Sequence, residues 1–435
     1  MKRGFALILA LALALLTGCE MFVPGPTERP SHWWGGAEPT DSAGPGQSQA
    51  PGSAGPSPSQ AVWQEGSGTD FDRRFSKVIT NICATGDTVY FSPPHPSNLI
   101  YYADKATGIC LPLCGKPECT HSNENCNAYV GYTGLDGLAS YNGRLYWVGY
   151  EKIMGRWKSC IVSMAYDGTD RRTVRELTDW TSPAYSGSLM QAEFHRGYIY
   201  KCYTAQEVVD GEAKTIAHVA AYSVEDDREA LVILSEEISN AGQRIKIQTY
   251  EEYVYIALET ADGAFELHRW DTRVGVLETL YRGTVSLSWT GMQFWVVEDG
   301  ILFGSKEYTD PSEDTDESWE YALYRFSFET AEFEPVNRLR LSEEKNVNVT
   351  MMGGMVIANW WEPNSGDVRV LVKDFAGQTL LDAAFEDVAW YIAPYPLTGY
   401  GVDESYLYFF KYIEQQFIAV PRDGSEIRLL WSKDT

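Results

Sequence analysis

Positive charge is scarce in this sequence. The 435 residues include 35 Lys and Arg against 60 Asp and Glu, a formal net charge of −25. Such an acidic excess repels phosphate backbones and anionic lipid surfaces, which excludes nucleic acid as a partner and leaves no electrostatic basis for membrane binding. A sustained helical period is also missing beyond the first residues, while aromatic residues make up 13% of the chain. This combination indicates an all-β protein.

Catalytic motifs are missing as well. The sequence has no Gly-x-Ser-x-Gly elbow, no His-Glu-x-x-His, no Gly-Lys-Ser/Thr phosphate loop and no dinucleotide fingerprint, and it contains only six His. We therefore assign no catalytic residue, expect no cofactor and favour a non-catalytic protein. An extracytoplasmic polysaccharide hydrolase or lyase that uses carboxylates at the rim of the fold is the alternative.

No hydrophobic run is long enough to cross a bilayer. The longest, residues 5–16, has twelve residues, whereas a spanning helix needs about 20. It follows Lys2 and Arg3 and precedes Leu16-Thr17-Gly18-Cys19, which resembles a bacterial lipobox. The pattern predicts a signal peptide over residues 1–18 and a lipid on Cys19, with the protein on the extracytoplasmic face of the cell membrane. An ordinary signal peptide with an incidental Cys is the alternative.

A tether is predicted after the lipid anchor, over residues 19–60. Residues 23–60 contain eight Pro and seven Gly, interspersed with Ser and Ala. Such a segment buries too little apolar surface to offset chain entropy, so we expect disorder there. The membrane is then a partner through the lipid anchor only.

Residues 61–435 contain seven similar strands, each preceded by turn residues. Their central positions are 48–56 residues apart: Tyr90, Tyr146, Tyr200, Tyr255, Phe303, Ile357 and Tyr408. An acidic turn and a further apolar strand follow each of them, so every repeat reads as a three- or four-stranded antiparallel sheet. Repeats of this kind predict a seven-bladed β-propeller, with six blades as the alternative. We expect the propeller to be a monomer.

Cysteine is concentrated in an insertion between the first two repeats, predicted over residues 109–130. It contains Cys110, Cys114, Cys119 and Cys126. Outside the cytoplasm, such closely spaced cysteines favour two disulfides. A zinc ion held by Cys114, Cys119, His121 and Cys126 is one alternative, and reduced thiols are another. The other three, Cys83, Cys160 and Cys202, fall in strand patterns and are predicted to be buried.

The combination of features resembles a known group of proteins. Its most specific element is the segment Leu113-Cys114-Gly115-Lys116-Pro117-Glu118-Cys119-Thr120-His121. With the lipobox, the tether and the Tyr-rich repeats, it resembles uncharacterised TolB-like β-propeller lipoproteins of Gram-positive anaerobic bacteria, which contain a domain of unknown function. The resemblance implies a six- or seven-bladed propeller and no particular chemistry.

Two tryptophans are the sequence's candidates for ligand binding. Trp360 and Trp361 follow the central strand of the sixth repeat, and neighbouring strand residues face opposite ways. At least one should then lie near the surface, where an indole ring can stack on a sugar or a peptide; burial of both between blades is the alternative. The expected function is therefore a tethered binding or scaffolding propeller for a protein, peptide or glycan.

Overall fold

The computed structural model describes most of the chain from residue 81 onward. The predicted signal peptide, lipidated Cys19 and tether lie outside the described residues. The described ranges are 81–93, 98–130, 135–177, 191–225, 229–238, 244–285, 287, 292–308, 319–342, 347–361, 367–386, 397–411, 415–422 and 425–433.

These residues form twenty-eight strands in seven four-stranded antiparallel sheets, each built from four consecutive strands. Blade 1 contains β1 (Ile82–Thr85), β2 (Thr88–Phe91), β3 (Tyr101–Asp104) and β4 (Cys110–Pro112). Blade 2 contains β5 (Asp136–Tyr141), β6 (Arg144–Ile153), β7 (Arg156–Ala165) and β8 (Arg172–Glu176). Blade 3 contains β9 (Gln191–His195), β10 (Tyr198–Val209), β11 (Glu212–Ser223) and β12 (Leu231–Glu237). Blade 4 contains β13 (Ile245–Tyr250), β14 (Tyr253–Glu259), β15 (Phe265–Asp271) and β16 (Val276–Gly283).

The last three blades repeat the same order. Blade 5 contains β17 (Gln293–Val297), β18 (Gly300–Tyr308), β19 (Trp319–Ser327) and β20 (Phe333–Leu339). Blade 6 contains β21 (Asn348–Met352), β22 (Met355–Trp361), β23 (Asp367–Asp374) and β24 (Thr379–Glu386). Blade 7 contains β25 (Leu397–Val402), β26 (Tyr406–Lys411), β27 (Gln416–Pro421) and β28 (Arg428–Ser432).

The first strand of every blade contacts the first strand of the next, and β25 of blade 7 contacts β1 of blade 1. The chain is therefore a closed seven-bladed β-propeller, with four strands in every blade. This confirms the predicted fold and excludes the six-bladed alternative. All seven central residues of the repeats lie in the second strand of a blade, where both neighbours are hydrogen-bonded strands.

Apolar side chains fill the spaces between adjacent blades. The aromatic content is concentrated there, as between blades 4 and 5, where Tyr255, Phe265, Phe303 and Phe326 belong to one buried cluster. Aromatic rings bury large areas and pack edge to face, which suits two facing sheets. Cys83, Cys160 and Cys202 are fully buried in such clusters, as predicted.

Ring closure rests on side chains rather than on a shared blade. Phe91 of blade 1 stacks on Phe417 of blade 7, with ring centroids 4.1 Å apart. Beside them, Lys105 Nζ lies 2.7 Å from Asp403 Oδ2, and Arg428 Nη1 donates to the Lys105 carbonyl at 2.6 Å. We call this set of contacts the closure contact. It joins blade 1 to blade 7, and in the described residues neither blade contains a strand from the other end of the chain.

The innermost strands are also joined by polar groups. Glu193 on β9 accepts a hydrogen bond from the backbone N–H of Thr249 on β13 at 2.8 Å. In the next blade, Gln248 on β13 donates to the Phe294 carbonyl at 3.1 Å and accepts from the Val296 N–H at 2.7 Å. These bonds satisfy backbone groups on strands that face the centre of the ring.

In the described part of the chain, no helix is long and apolar enough to cross a membrane.

Candidate functional site

The segment between blades 1 and 2 is the most irregular described part of the propeller. We call residues 113–130 the Cys/His loop. Its base is fixed to blade 1 because the Leu113 N–H donates to the Ile100 carbonyl and the Ile100 N–H to the Ala128 carbonyl, each at 2.8 Å. Leu113, Ala128 and Val130 are fully buried at this base. The two ends of the loop are thus held together by backbone hydrogen bonds and by the burial of apolar side chains.

The loop also rests on blade 2, at the turn between β7 and β8. The Gly115 N–H donates to the Gly168 carbonyl at 3.0 Å, and Asn127 Nδ2 donates to the same oxygen at 2.8 Å. Arg171 Nη1 donates to the Asn127 carbonyl at 2.8 Å and also to that of Tyr129. The close contact between the loop and this turn requires glycine at position 168, where φ is +76° and a Cβ would lie 2.7 Å from the Cys114 nitrogen.

Three cysteines and one histidine converge inside this loop. The ligand atoms of Cys114, Cys119, His121 and Cys126 all lie within 4.8 Å of one another. His121 Nδ1 is 3.4 Å from Cys126 Sγ, and His121 has a φ of 56°, a left-handed backbone conformation that is uncommon for a residue with a Cβ. Three sulfur donors and an imidazole are a ligand set suited to a soft metal ion.

Backbone N–H groups point at two of these sulfurs. Burial acts to raise the pKa of the Cys114 thiol. Hydrogen bonds from the N–H groups of Lys116 and Asn127 and from the thiols of Cys126 and Cys119 outweigh burial, so the pKa lies below its ordinary value. The Ala128 N–H donates to Cys126. Burial raises the pKa of Cys126 to about 12, and hydrogen bonding to Cys119 and Cys114 adds to the rise.

Cys110, the fourth cysteine of the predicted insertion, lies elsewhere. It belongs to β4 rather than to the loop and packs against the cluster formed by blades 1 and 7. Burial there raises the pKa of its thiol to about 12. All seven described cysteines are free thiols. The convergent group is therefore the one named in the zinc alternative, while the two disulfides stay a prediction.

A cavity of about 550 Å³ adjoins the loop, between the outer strands of blades 1 and 7. Tyr101 and Trp431 are part of its wall, with ring centroids 5.6 Å apart. The Cys/His loop contributes His121, Ser122 and Tyr129. We call this space the junction cavity; its lining consists of Asn98, Leu99, Tyr101, Cys110, Leu111, Pro112, His121, Ser122, Tyr129, Leu430, Trp431, Ser432 and Lys433.

The tryptophan candidates do not form a described binding surface. Trp360 is 7% exposed and packs between blades 5 and 6 with Trp295 and Trp319. Its indole is a core group because the strand alternation turns it toward blade 5. Trp361 ends β22, and its side chain lies outside the described residues.

Two hydrogen-bonded sets of side chains, which we call hydroxyl–imidazole–carboxylate lines, were not predicted from the sequence. In blade 3, His218 Nδ1 is 2.9 Å from Ser235 Oγ and its Nε2 is 2.7 Å from Glu207 Oε1. Each line joins residues on neighbouring strands, so no sequence motif marks it, and none of its members lines the junction cavity. The second line, in blade 4, consists of Thr279, His268 and Glu266. We interpret both as links between strands.

Comparisons with known proteins bear on the fold. No family model matches the chain, and no curated protein matches it either. A solved structure of prolyl endopeptidases matches with 10% identity and a TM-score of 0.47, covering 83% of this chain and 50% of its own, so the chain spans about half the length of that protein. The β-propeller domain of the Trilobed protease from Pyrococcus furiosus matches with 12% identity and a TM-score of 0.42, covering 83% and 99%.

An ulvan lyase of polysaccharide lyase family PL25 is also similar, with 9% identity, a TM-score of 0.48 and coverage of 83% and 96%. At these values the similarity concerns the propeller architecture and says nothing about the chemistry of this chain.

Proposed function

We propose that this protein is a lipid-anchored, extracytoplasmic binding propeller that takes a saccharide in the junction cavity. The observation that carries the proposal is the composition of the cavity wall, in which rings and hydrogen-bonding groups from three separate segments face one space. Ligand sites combine apolar surface with a few convergent polar groups. A sugar ring presents a C–H face for aromatic stacking and hydroxyls at its edge, which matches that combination.

The polar lining suits hydroxyl groups. Asn98 and Ser122 offer an amide and a hydroxyl, and Lys433 adds a cation at the end of β28. The described lining contains no Asp or Glu, although the whole chain has 60. This part of the surface therefore does not share the acidic character of the chain, and it accommodates neutral or carboxylate-bearing sugars better than cationic ligands.

The same lining supports binding over glycoside hydrolysis. Glycosidases use two carboxyl groups about 5–9 Å apart across the scissile bond, and the described wall supplies neither. The hydrolase alternative would need carboxylates from outside this cavity.

A glycan array probed with the detergent-solubilised full chain tests the proposal. We expect binding to neutral or uronic-acid saccharides and at least about a tenfold loss in Tyr101→Ala, since removing one stacking ring costs of the order of 1–3 kcal/mol. Tyr101→Phe keeps the ring and should retain most of the affinity. Tyr308→Ala, at an exposed tyrosine of blade 5, is the control. Binding to peptides alone, or equal binding by Tyr101→Ala, would contradict the proposal.

The anchor is tested separately. Cys19→Ala should move the protein from the membrane fraction to the soluble fraction, because a lipidated N-terminus needs that thiol. A variant that stays in the membrane fraction would refute lipid anchoring without affecting the cavity.

A further inference from the structure

We propose that Cys114, Cys119, His121 and Cys126 bind one Zn²⁺ ion and that this ion serves as the core of the Cys/His loop. The proposal is independent of the saccharide site, although His121 contributes to both regions.

Distances between the ligand atoms agree with a tetrahedral zinc site. With Zn–S near 2.3 Å and Zn–N near 2.0–2.1 Å, tetrahedral geometry places sulfur and nitrogen about 3.6 Å apart and two sulfurs about 3.8 Å apart. The observed His121 Nδ1 to Cys126 Sγ distance is 3.4 Å, and every pair of ligand atoms in the group is within 4.8 Å. The group needs a contraction of at most about 1 Å to reach those values.

Backbone N–H donors are directed at two of the three sulfurs. The N–H groups of Lys116 and Asn127 point at Cys114, and that of Ala128 points at Cys126. In both cysteines one of these donors lies two residues after the sulfur, so a tight turn of the backbone supplies it. Such hydrogen bonds take up part of the negative charge that three thiolates bring to a divalent ion.

The loop has no other core. Between its ligands, residues 115–118 and 122–125 are exposed. Apart from Cys126, the buried apolar side chains of the loop are Leu113, Ala128 and Val130 at its base. A segment with this little buried apolar surface does not offset its own chain entropy. The His121 backbone nevertheless takes up a left-handed conformation that turns the imidazole toward Cys126. A bound metal supplies the free energy that such a loop lacks.

A disulfide explains the group less well. A bond between any two of the three sulfurs leaves the third thiol and His121 beside it without a role, and Cys110 lies outside the group. Four protein ligands around one zinc ion also leave no position for water or substrate, which defines a structural site rather than a catalytic one.

Metal analysis of the detergent-solubilised full chain, purified without chelator, tests this inference. We expect about one zinc per chain in the natural protein and below about 0.2 in Cys119→Ser and in His121→Ala, because a structural site depends on all four ligands. Cys110→Ser removes a neighbouring thiol outside the group and should keep its zinc. Circular dichroism of each variant shows whether the propeller is retained.

Two further measurements keep the test decisive if a ligand variant fails to fold. His121→Cys preserves four soft ligands and should retain zinc. Replacement of the metal by Co²⁺ in the natural chain should give the visible absorption of tetrahedral cobalt together with thiolate charge-transfer bands, shifted in His121→Cys. A metal-free natural protein with Cys114, Cys119 or Cys126 in a disulfide by non-reducing mass spectrometry would overturn the proposal. So would equimolar iron, or zinc that persists in both Cys119→Ser and His121→Ala.

Discussion

Blade 1 has two neighbours, and it is attached to them in different ways. Its strands are among the shortest in the ring, with three or four residues each. Toward blade 7 it uses the closure contact, in which rings stack and an ion pair is largely buried. Toward blade 2 a loop with hardly any apolar core lies across the junction and is fixed to the turn between β7 and β8 by hydrogen bonds of Gly115, Asn127 and Arg171. The short strands of blade 1 pack against both neighbours through buried clusters, with Tyr90 facing blade 2 and Phe91 facing blade 7, and the Cys/His loop adds a second attachment to blade 2.

Cys110 and Cys114 show the same difference between the two sides of blade 1. Cys110 and Cys114 are four residues apart, yet Cys110 packs against the cluster shared with blade 7, whereas Cys114 belongs to the loop over blade 2. Burial raises the pKa of Cys110 to about 12, while N–H donors overcome burial at Cys114 and lower its pKa. Sequence proximity therefore does not give two cysteines the same chemistry.

The largest expected effect concerns the closure contact. Phe417→Ala removes a buried ring that stacks on Phe91 and should lower the free energy of unfolding by about 3–5 kcal/mol, since it leaves a cavity between blades. Phe417→Leu should cost clearly less because it keeps most of the volume. Urea denaturation followed by tryptophan fluorescence measures both. Val336→Ala, at an exposed position of blade 5, is expected to change stability by less than about 0.5 kcal/mol.

A smaller effect is expected on the other side of blade 1. Gly168→Ala introduces a Cβ at 2.7 Å from the Cys114 nitrogen and at a φ of +76°, so we expect a loss of about 2–4 kcal/mol from backbone strain and overpacking together. Gly155 has a φ of +78° with no atom within 4 Å of the added Cβ. Gly155→Ala therefore isolates the strain and should cost about 1 kcal/mol. Equal losses in thermal denaturation would show that the loop does not press on this turn.

The ion pair of the closure contact should make stability depend on pH. Burial acts to raise the pKa of the Asp403 carboxyl, but the Lys105 ammonium and the hydrogen bonds from Lys105, Tyr408 and Ser405 outweigh it, so the pKa lies below the ordinary 3.8. A carboxyl with a lowered folded-state pKa stabilises the fold above its unfolded-state pKa, and this stabilisation is lost as pH falls through the folded-state value.

Asp403→Asn should thus be less stable than the natural protein by about 1–3 kcal/mol at pH 7. The difference should shrink steadily below pH 4, because the natural carboxyl then becomes neutral as well. Melting temperatures of both proteins between pH 7 and pH 3 provide the measurement. A difference that stays constant over this range would mean that Asp403 acts through packing alone.

The last prediction concerns the rate at which Cys110 is alkylated and not the stability of the fold. With a pKa of about 12, the Cys110 thiol is almost entirely protonated at pH 8. Its alkylation by iodoacetamide should be at least about 100-fold slower than that of a free thiol with a pKa near 8.5, because the thiolate is the nucleophile. Peptide mass spectrometry of timed samples resolves Cys110 from its neighbours, and rapid modification in the folded protein would contradict its packing against the cluster formed by blades 1 and 7.

The blades could be predicted from sequence because their signal is local. Tyr90, Tyr146 and Tyr200 each lie in a short alternating strand after a turn, and a hairpin forms between residues that are close in the chain. The Cys and His residues of the Cys/His loop were also visible in the sequence, since they lie within residues 114–126, although spacing alone could not separate a metal site from disulfides.

The remaining features depend on contacts between distant parts of the chain. The junction cavity brings Asn98 together with Lys433, and the hydroxyl–imidazole–carboxylate lines require the register of neighbouring strands. The burial of Trp360 follows from which blade its strand face meets. None of these can be read from a single sequence, because periodicity reports which residues share a face but not what that face meets.

The closure contact also sets the order in which the molecule can be completed. Each blade consists of four consecutive strands, so blades 1 to 6 can fold in turn as the polypeptide emerges from the ribosome. The face of blade 1 that contains Phe91 has no partner until blade 7, residues 397–432, has been made. Throughout synthesis the first-formed blade thus presents a bare aromatic surface, and a chain halted before its final hairpins would be a natural substrate for chaperones or proteases.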